Sequence, residues 1–277
     1  MTTSPMLERG APPVQERPPS SQLGGASRAG RIPLLALAFS IGLALFIAVD
    51  PVQPWILLAL TALMALGADG IIRSNPRGDF HTIADTAPYL FVPVLFTLSA
   101  GLFLEDVILS YWAAPAVAGA GVLMAGALYA EHVSVHPEDE QFPLARFMLN
   151  VITYLTAFGF YAVVYGFDVA LLPAAFAVGL ISMLLSIEIF REAEADPLRA
   201  LVFAACIGVI VAEARWVLYF IPLEGFLAGV FILLVFYLTT GVISHYLTEH
   251  LDRGVLAEFA LVTAAGLAIV IGGRVLG

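Results

Sequence analysis

The stretch from Gly225 to Tyr246, GFLAGVFILLVFYLTTGVISHY, decides the fold class of this chain. It contains no Asp, Glu, Lys or Arg. A helix of about 20 apolar residues crosses the roughly 30 Å hydrocarbon core of a bilayer. Backbone N–H and C=O groups cannot stay unpaired in lipid, so a spanning segment of this kind must be helical. The stretch therefore predicts a transmembrane helix.

Eight more apolar stretches of comparable length accompany it. They are 32–49, 54–72, 88–107, 111–130, 147–166, 168–190, 199–221 and 255–273. Of the 277 residues, 60% are hydrophobic and only 12% are charged, which lies far from the usual composition of soluble domains. The sequence predicts an all-α integral membrane protein with a bundle of about nine transmembrane helices. It excludes a soluble enzyme, a nucleic-acid-binding protein and a disulfide scaffold.

Residues 1–30 differ from the rest of the chain. They hold five prolines and few apolar residues, a composition that cannot bury enough surface to fold. The first apolar run has no clear small-residue cleavage site, so we interpret it as a retained span rather than a signal peptide. We predict a disordered cytoplasmic tail over 1–30 and a single transmembrane domain over 31–277.

The arginines predict the orientation of the helices. All twelve basic residues are arginine, and ten of them fall in the tail or in alternate connections. Those ten are Arg9, Arg17, Arg28, Arg31, Arg73, Arg77, Arg146, Arg191, Arg199 and Arg253. Cytoplasmic loops carry an excess of basic residues. We therefore predict a cytoplasmic N-terminus and an outside C-terminus.

Three segments resemble an uncharacterised polytopic family that carries a domain-of-unknown-function label and is associated with chloroflexi and cyanobacteria. They are Asp69-Gly70-Ile71-Ile72-Arg73-Ser74-Asn75-Pro76, Ala145-Arg146-Phe147-Met148-Leu149-Asn150 with Tyr154, and Ala212-Glu213-Ala214-Arg215-Trp216. The resemblance covers roughly residues 32–273. It implies a bacterial inner-membrane protein and supplies no activity.

Charged residues inside a span are costly and suggest a function or a specific partner. Glu213 and Arg215 lie in the seventh span. Two residues apart on a helix, they point to nearly opposite sides and cannot pair with each other. We predict that Arg215 pairs with Glu105, Asp106 or Glu224 at the outer ends of other helices.

Polar stripes follow the helical repeat in two spans. One consists of Asn150, Tyr154, Phe158, Tyr161 and Tyr165, and the other of Tyr237, Thr240, Ser244 and Thr248. We interpret them chiefly as interhelical hydrogen-bond seams; together they could also line an amphiphilic groove. The candidate functional polar groups are Asp69, Arg73, Asp85, Asn150, Tyr154, Glu188, Glu213 and Arg215.

Metal and cofactor sites are not predicted. His132 and His136 have a spacing that metal ligands use, but acids surround them in the sequence and we interpret them as solvated loop residues. The sequence shows no covalent catalytic site. Our first hypothesis is a membrane protein of unknown activity that binds or handles a lipid or small hydrophobic molecule, with membrane lipids and no nucleic acid as partners.

Two alternatives remain. The first is a magnesium-dependent transferase of the prenyl or CDP-alcohol type, using Asp69, Asp79, Asp85, Glu192 and Asp196. Carboxylates suit magnesium-bound phosphates, but the CDP-alcohol motif needs an alanine and two aspartates that are missing here. The second is a secondary transporter, for which broken helices or inverted repeats would be the sign; neither is evident.

Overall fold

A computed structural model describes residues 31–75, 82–107, 112–167, 169–193, 196–221, 223, 225–248 and 252–276. The predicted tail lies outside these residues, as do Asp79, Glu224 and the side chain of Glu192. The described residues form nine helices, each long and apolar enough to cross a membrane. The helices are α1 Arg31–Ala48, α2 Pro54–Arg73, α3 Ile83–Val107, α4 Ala113–Ser134, α5 Phe142–Gly166, α6 Leu171–Ala193, α7 Pro197–Leu218, α8 Gly225–Leu247 and α9 Arg253–Leu276. The predicted fold class is confirmed; the orientation stays a prediction.

Proline marks the start of several helices. Pro54 opens α2 and Pro197 opens α7. A proline costs little there because the first N–H groups of a helix have no intrahelical partner. Asp196 caps α7 by accepting a hydrogen bond of 3.0 Å from the Leu198 N–H. Local sequence therefore sets these boundaries.

Three predicted helix boundaries are wrong, and in each case the helix extends further than predicted. Helix α3 begins at Ile83 and contains Pro88, α4 continues to Ser134, and α5 already begins at Phe142. For α4 and α5 the hydropathic stretches stop at charged residues, yet the helices continue because Glu131 and Arg146 pair with residues of α6. This extension places Glu131 and Arg146 inside helices, where they are buried.

Helix α5 occupies the centre of the bundle and packs against α3, α4, α6 and α8. On one side it joins a core of α1 to α5 that includes Phe39, Met64 and Met124. On the other side it joins a core of α5 to α8 that includes Ile207 and Phe236. Helix α5 therefore packs against four other helices and links the two cores.

The closest helix pair is α6 and α7. A Cβ added to Gly179 would lie 2.8 Å from the Gly208 carbonyl oxygen, and the converse distance is 2.7 Å. Small residues let transmembrane backbones approach closely, and helix association in lipid depends on this packing. The tight contact fixes α7, which carries Arg215, against α6.

Helix α9 is peripheral and packs chiefly against α8. The Tyr237 and Phe259 rings meet there, with centroids 5.7 Å apart. Most of α9 faces away from the bundle, as the exposed Leu261 and Ile269 show. The margin between α7, α8 and α9 is therefore filled less completely than the two cores.

Candidate functional site

Buried charges lie at both ends of the central helix α5. We call the end where α4 and α6 finish and α5 begins the inner end, after its predicted orientation, and the opposite one the outer end. The inner end holds a group that we name the inner cluster. It consists of Glu131 on α4, Arg146 on α5, and Glu188 and Arg191 on α6, with Ser134 on α4 and Tyr89 on α3 beside them.

Arg146 and Glu188 form the most enclosed pair of the inner cluster. Arg146 is 4% exposed and Glu188 is fully buried. Arg146 Nη1 donates to Glu188 Oε1 at 2.7 Å, and its Nη2 donates to the Glu188 backbone carbonyl at 3.0 Å. Two bonds from one guanidinium fix the direction as well as the distance of the contact.

Arg191 extends the cluster from α6 to α4 and α3. Its Nη2 donates to Glu131 Oε2 at 3.0 Å and to Ser134 Oγ at 2.8 Å. Its Nη1 lies 2.8 Å from Glu188 Oε2, an ion pair without the alignment of a hydrogen bond. The guanidinium carbon lies 4.1 Å from the centre of the Tyr89 ring, within the range of a cation–π contact.

The two arginines and two glutamates balance each other's charge. Breaking one partner of a buried ion pair is strongly destabilising because it leaves an unpaired charge in a poorly polar medium. The inner cluster therefore locks α3, α4, α5 and α6 together. Glu188 was among the predicted candidates, and the structure gives it this role.

Three of the predicted acidic residues occupy structural positions at the inner end. Asp69 bonds to Arg73 Nε at 2.7 Å and accepts from Thr86 Oγ1 at 2.6 Å. Asp85 accepts from the Thr82 N–H at the start of α3, at 2.8 Å, while Asp196 caps α7. In the part of the chain that the structure describes, no three His, Cys, Asp or Glu side chains converge as a metal site would require.

The two histidines of the α4 end lie near Asn75. Asn75 Nδ2 donates to the His132 carbonyl at 3.2 Å, and His136 Nε2 lies 3.4 Å from Asn75 Oδ1. These contacts hold the connection after α2 against the end of α4. Only His136 makes this contact through its side chain. His132 lies inside α4 and contributes its backbone carbonyl, so its interpretation as a loop residue is wrong.

The tyrosine stripe of α5 forms the predicted hydrogen-bond seams. Tyr154 Oη lies 3.0 Å from Thr240 Oγ1 on α8, and Tyr161 Oη lies 2.7 Å from Ser182 Oγ on α6. In the same stripe Asn150 Oδ1 is buried without a hydrogen-bond partner among the described residues. The stripe thus bonds to different helices at successive levels. The amphiphilic groove stays a prediction.

Arg215 lies at the outer end, where no carboxylate among the described residues pairs with it. It is 5% exposed, and its Nε and Nη1 have no hydrogen-bond partner among the described residues. The predicted pairs with Glu105 and Asp106 are wrong, because no ion pair joins Arg215 to either of these described acids; Glu224 lies outside the described residues. Glu213 is exposed and faces away from the bundle, as the helical spacing predicts.

Tyr165 is the main neighbour of the Arg215 guanidinium. The guanidinium carbon lies 4.4 Å from the centre of the Tyr165 ring. The Tyr165 hydroxyl donates to the Leu218 carbonyl at 2.9 Å, at the end of α7. This bond fixes the position of the ring beside the guanidinium.

Two adjoining hollows open beside this pair. The polar hollow has a volume of about 470 Å³ and is lined by residues that include Arg215, Tyr165, Leu171 and Tyr219. The apolar hollow has a volume of about 460 Å³ and is lined by residues that include Phe231, Leu267, Val270 and Ile271. Leu218, Ile221 and Leu223 line both. We refer to the two hollows together as the outer cleft.

Sequence reasoning missed four parts of these sites. The predicted span boundaries leave three charged residues in the inner connections, because each lies within about a turn of a predicted span end. They are Glu131, Arg146 and Arg191. Tyr165 was placed in a stripe without a partner. Arg146 stands four residues before the buried polar stripe that begins with Asn150 and Tyr154. This spacing was the available sequence signal for the inner cluster.

The comparisons with known proteins identify a family. Residues 51–272 match the family described as "Protein of unknown function (DUF5656)". The match covers most of the chain, so the chain belongs to this family, and the resemblance to an uncharacterised membrane family is confirmed. No curated protein and no solved structure matches the chain.

Proposed function

We propose that this member of the DUF5656 family binds a lipid or another long hydrophobic molecule in the outer cleft, as a multi-pass protein of a bacterial cytoplasmic membrane. The observation that carries the proposal is the joining of the two hollows. A polar hollow that contains a buried arginine shares Leu218, Ile221 and Leu223 with an apolar hollow. An amphiphile likewise joins a polar headgroup to an apolar chain.

The dimensions and linings support this proposal. Sites for small molecules have volumes of about 300–1,000 Å³ and apolar walls with a few polar groups. Each hollow falls within this range. The apolar hollow also lies against the peripheral helix α9, where a chain from the surrounding lipid could enter sideways.

The inner end offers less support for a reaction. Arg146, Arg191 and Glu188 are paired with one another, and Asp69, Asp85 and Asp196 hold helix ends. Groups with these structural contacts would have to exchange them for a substrate. We therefore favour binding at the outer cleft over transfer chemistry at the inner end.

Photolabelling in a bilayer tests the proposed site. The full-length protein is placed in lipid nanodiscs that contain phospholipids with a diazirine in the acyl chain, and the labelled peptides are mapped by mass spectrometry. We expect labelling of residues 218–223. Leu267→Trp, which fills the apolar hollow, should lower this labelling several-fold, because Leu267 is a lining residue.

Ile269→Trp is the matched control. Ile269 lies on the same helix but is 60% exposed and does not line the hollow, so its replacement should leave the labelling of 218–223 unchanged. If Leu267→Trp and Ile269→Trp label alike at 218–223, the acyl chains reach these residues from bulk lipid and the proposed site is wrong.

Reporter fusions test the orientation that the proposal assumes. The arginine distribution predicts that a reporter after Gly277 lies outside the cytoplasm and that one between His136 and Gln141 lies inside it. Alkaline phosphatase and green fluorescent protein fusions distinguish the two sides. Two reporters on the same side would contradict the proposed orientation.

A further inference from the structure

The Arg215 guanidinium combines three properties that the fold itself leaves unexplained. It is buried, it lines an open hollow, and two of its nitrogen atoms have no hydrogen-bond partner among the described residues. A guanidinium carries five N–H donors and no acceptor. Charged groups inside a membrane protein generally pair or mark a binding site. Arg215 therefore has unused capacity to bind an acceptor with negative charge.

We propose that Arg215 binds the headgroup of a membrane lipid that carries one anionic oxyanion, with the phosphodiester of phosphatidylglycerol as the representative. This inference rests on the proposed function, since it specifies the headgroup of the molecule whose chain occupies the apolar hollow. It assigns Arg215 as the residue that selects the ligand.

The geometry of Arg215 favours an oxyanion over other acceptors. The Tyr165 ring lies 4.4 Å from the guanidinium carbon and is itself held by its bond to the Leu218 carbonyl. The donors of a guanidinium point outward in its plane, so a ligand must approach the edge. Two oxygens of a phosphate or carboxylate fit that edge through parallel N–H···O bonds.

The lining of the polar hollow favours a single negative charge. Among the described lining residues Arg215 is the one cation, and none of them carries a carboxylate. Tyr165 and Tyr219 add hydroxyl groups that a headgroup could use. A doubly charged headgroup would leave one charge without a counter-ion, whereas a phosphodiester is neutralised by the single arginine.

The position of the polar hollow favours a lipid over a free anion. The hollow shares Leu218, Ile221 and Leu223 with the apolar hollow, so an oxyanion at Arg215 would lie next to a compartment suited to hydrocarbon. A membrane lipid is already present in the bilayer beside this compartment, and its acyl chain matches the apolar lining, whereas inorganic phosphate has no apolar part. The lipid is therefore the expected ligand.

The test compares two labelled lipids at equal mole fraction. Nanodiscs of phosphatidylcholine receive either diazirine phosphatidylglycerol or diazirine phosphatidylcholine, and labelling of residues 218–223 is measured. Both lipids carry a phosphodiester, but only phosphatidylglycerol has a net negative charge, because the choline ammonium neutralises phosphatidylcholine. We expect the wild-type protein to prefer phosphatidylglycerol by about tenfold, since only this lipid balances the buried charge of Arg215. Arg215→Gln should abolish the preference, and inorganic phosphate at millimolar concentration should leave the labelling unchanged.

Glu213→Gln is the matched control for charge. It alters one charge on the same helix, but Glu213 is exposed and faces away from the cleft, so the preference should persist. Arg215→Lys provides a second variant: it keeps the charge without the planar fork and should retain a weaker preference. Both variants are compared at equal yield of monodisperse protein.

Each outcome separates this inference from the proposed function. Equal labelling by the two lipids in wild-type protein, sensitive to Leu267→Trp, would overturn the headgroup assignment and keep the binding site. Loss of labelling upon addition of inorganic phosphate would show a site for free oxyanions and overturn the lipid assignment. Labelling of 218–223 that Leu267→Trp leaves unchanged would contradict the proposed function itself.

Discussion

A buried arginine lies at each end of α5, and the two arginines have different partners. Arg146 at the inner end is 4% exposed and Arg215 at the outer end is 5% exposed. Arg146 meets Glu188 at 2.7 Å, whereas Arg215 meets the Tyr165 ring at 4.4 Å and no carboxylate of the described residues. Equal burial therefore does not imply an equal role. The inner arginine is paired within the fold, and the outer arginine keeps donors for another molecule.

The energetic difference between the two ends follows from the partner. A guanidinium in the hydrocarbon region costs about 2.5–3.5 kcal/mol on insertion scales. At the inner end, ion pairs with glutamates offset this cost. Loss of an arginine there would leave these glutamates buried with fewer counter-ions. At the outer end only an aromatic face is present, and a cation–π contact contributes about 0.5–2 kcal/mol. Substitutions at the two ends should therefore have different consequences for stability.

The largest expected effect is at the inner end. Arg146→Gln should lower the free energy of unfolding by about 3–5 kcal/mol, because it leaves Glu188 buried with one counter-ion fewer. Steric trapping in lipid discs measures this quantity. Arg253→Gln is the control: Arg253 is exposed at the start of α9, and its loss should change stability by at most about 0.5 kcal/mol. Similar values for the two variants would contradict the proposed lock of α3 to α6.

A smaller effect is expected from the aromatic neighbour of Arg215. Tyr165→Phe keeps the ring over the guanidinium but removes the hydroxyl that bonds to the Leu218 carbonyl. A loss of about 0.5–1.5 kcal/mol in unfolding free energy is expected for one such bond. Tyr219→Phe, at a residue that is 60% exposed, serves as the control. A change above 3 kcal/mol would mean that Tyr165 supports the outer end as strongly as Glu188 supports the inner end.

The sequence predicted the nine spans because length and hydropathy alone are decisive in lipid. It did not predict the inner cluster, since span boundaries taken from hydropathy end at the first charged residue. Glu131 and Arg146 are charged, yet they lie inside helices because Arg191 and Glu188 approach from another helix. Contacts across helices of this kind depend on three-dimensional packing. Arg215 was identifiable because apolar residues flank it on both sides, but its cleft depends on how α7, α8 and α9 meet.

The smallest expected loss of stability comes from Arg215→Gln. This variant tests most directly whether the two buried arginines differ in role. No carboxylate of the described residues is stranded when this charge is removed. The substitution loses the cation–π contact but also removes the cost of burying an unpaired guanidinium. The two effects oppose each other, so the unfolding free energy without added ligand should change by less than about 1 kcal/mol.

The same variant should differ from wild type once the ligand is present. A ligand that binds only the folded state stabilises it in proportion to the logarithm of its concentration. Adding phosphatidylglycerol to phosphatidylcholine discs should therefore stabilise the wild-type protein and leave Arg215→Gln nearly unchanged, as measured by steric trapping. A loss above about 3 kcal/mol without the ligand would instead mean that Arg215 has a carboxylate partner of the Arg146 type. Glu224 would be the first residue to test, in a double-mutant cycle with Arg215.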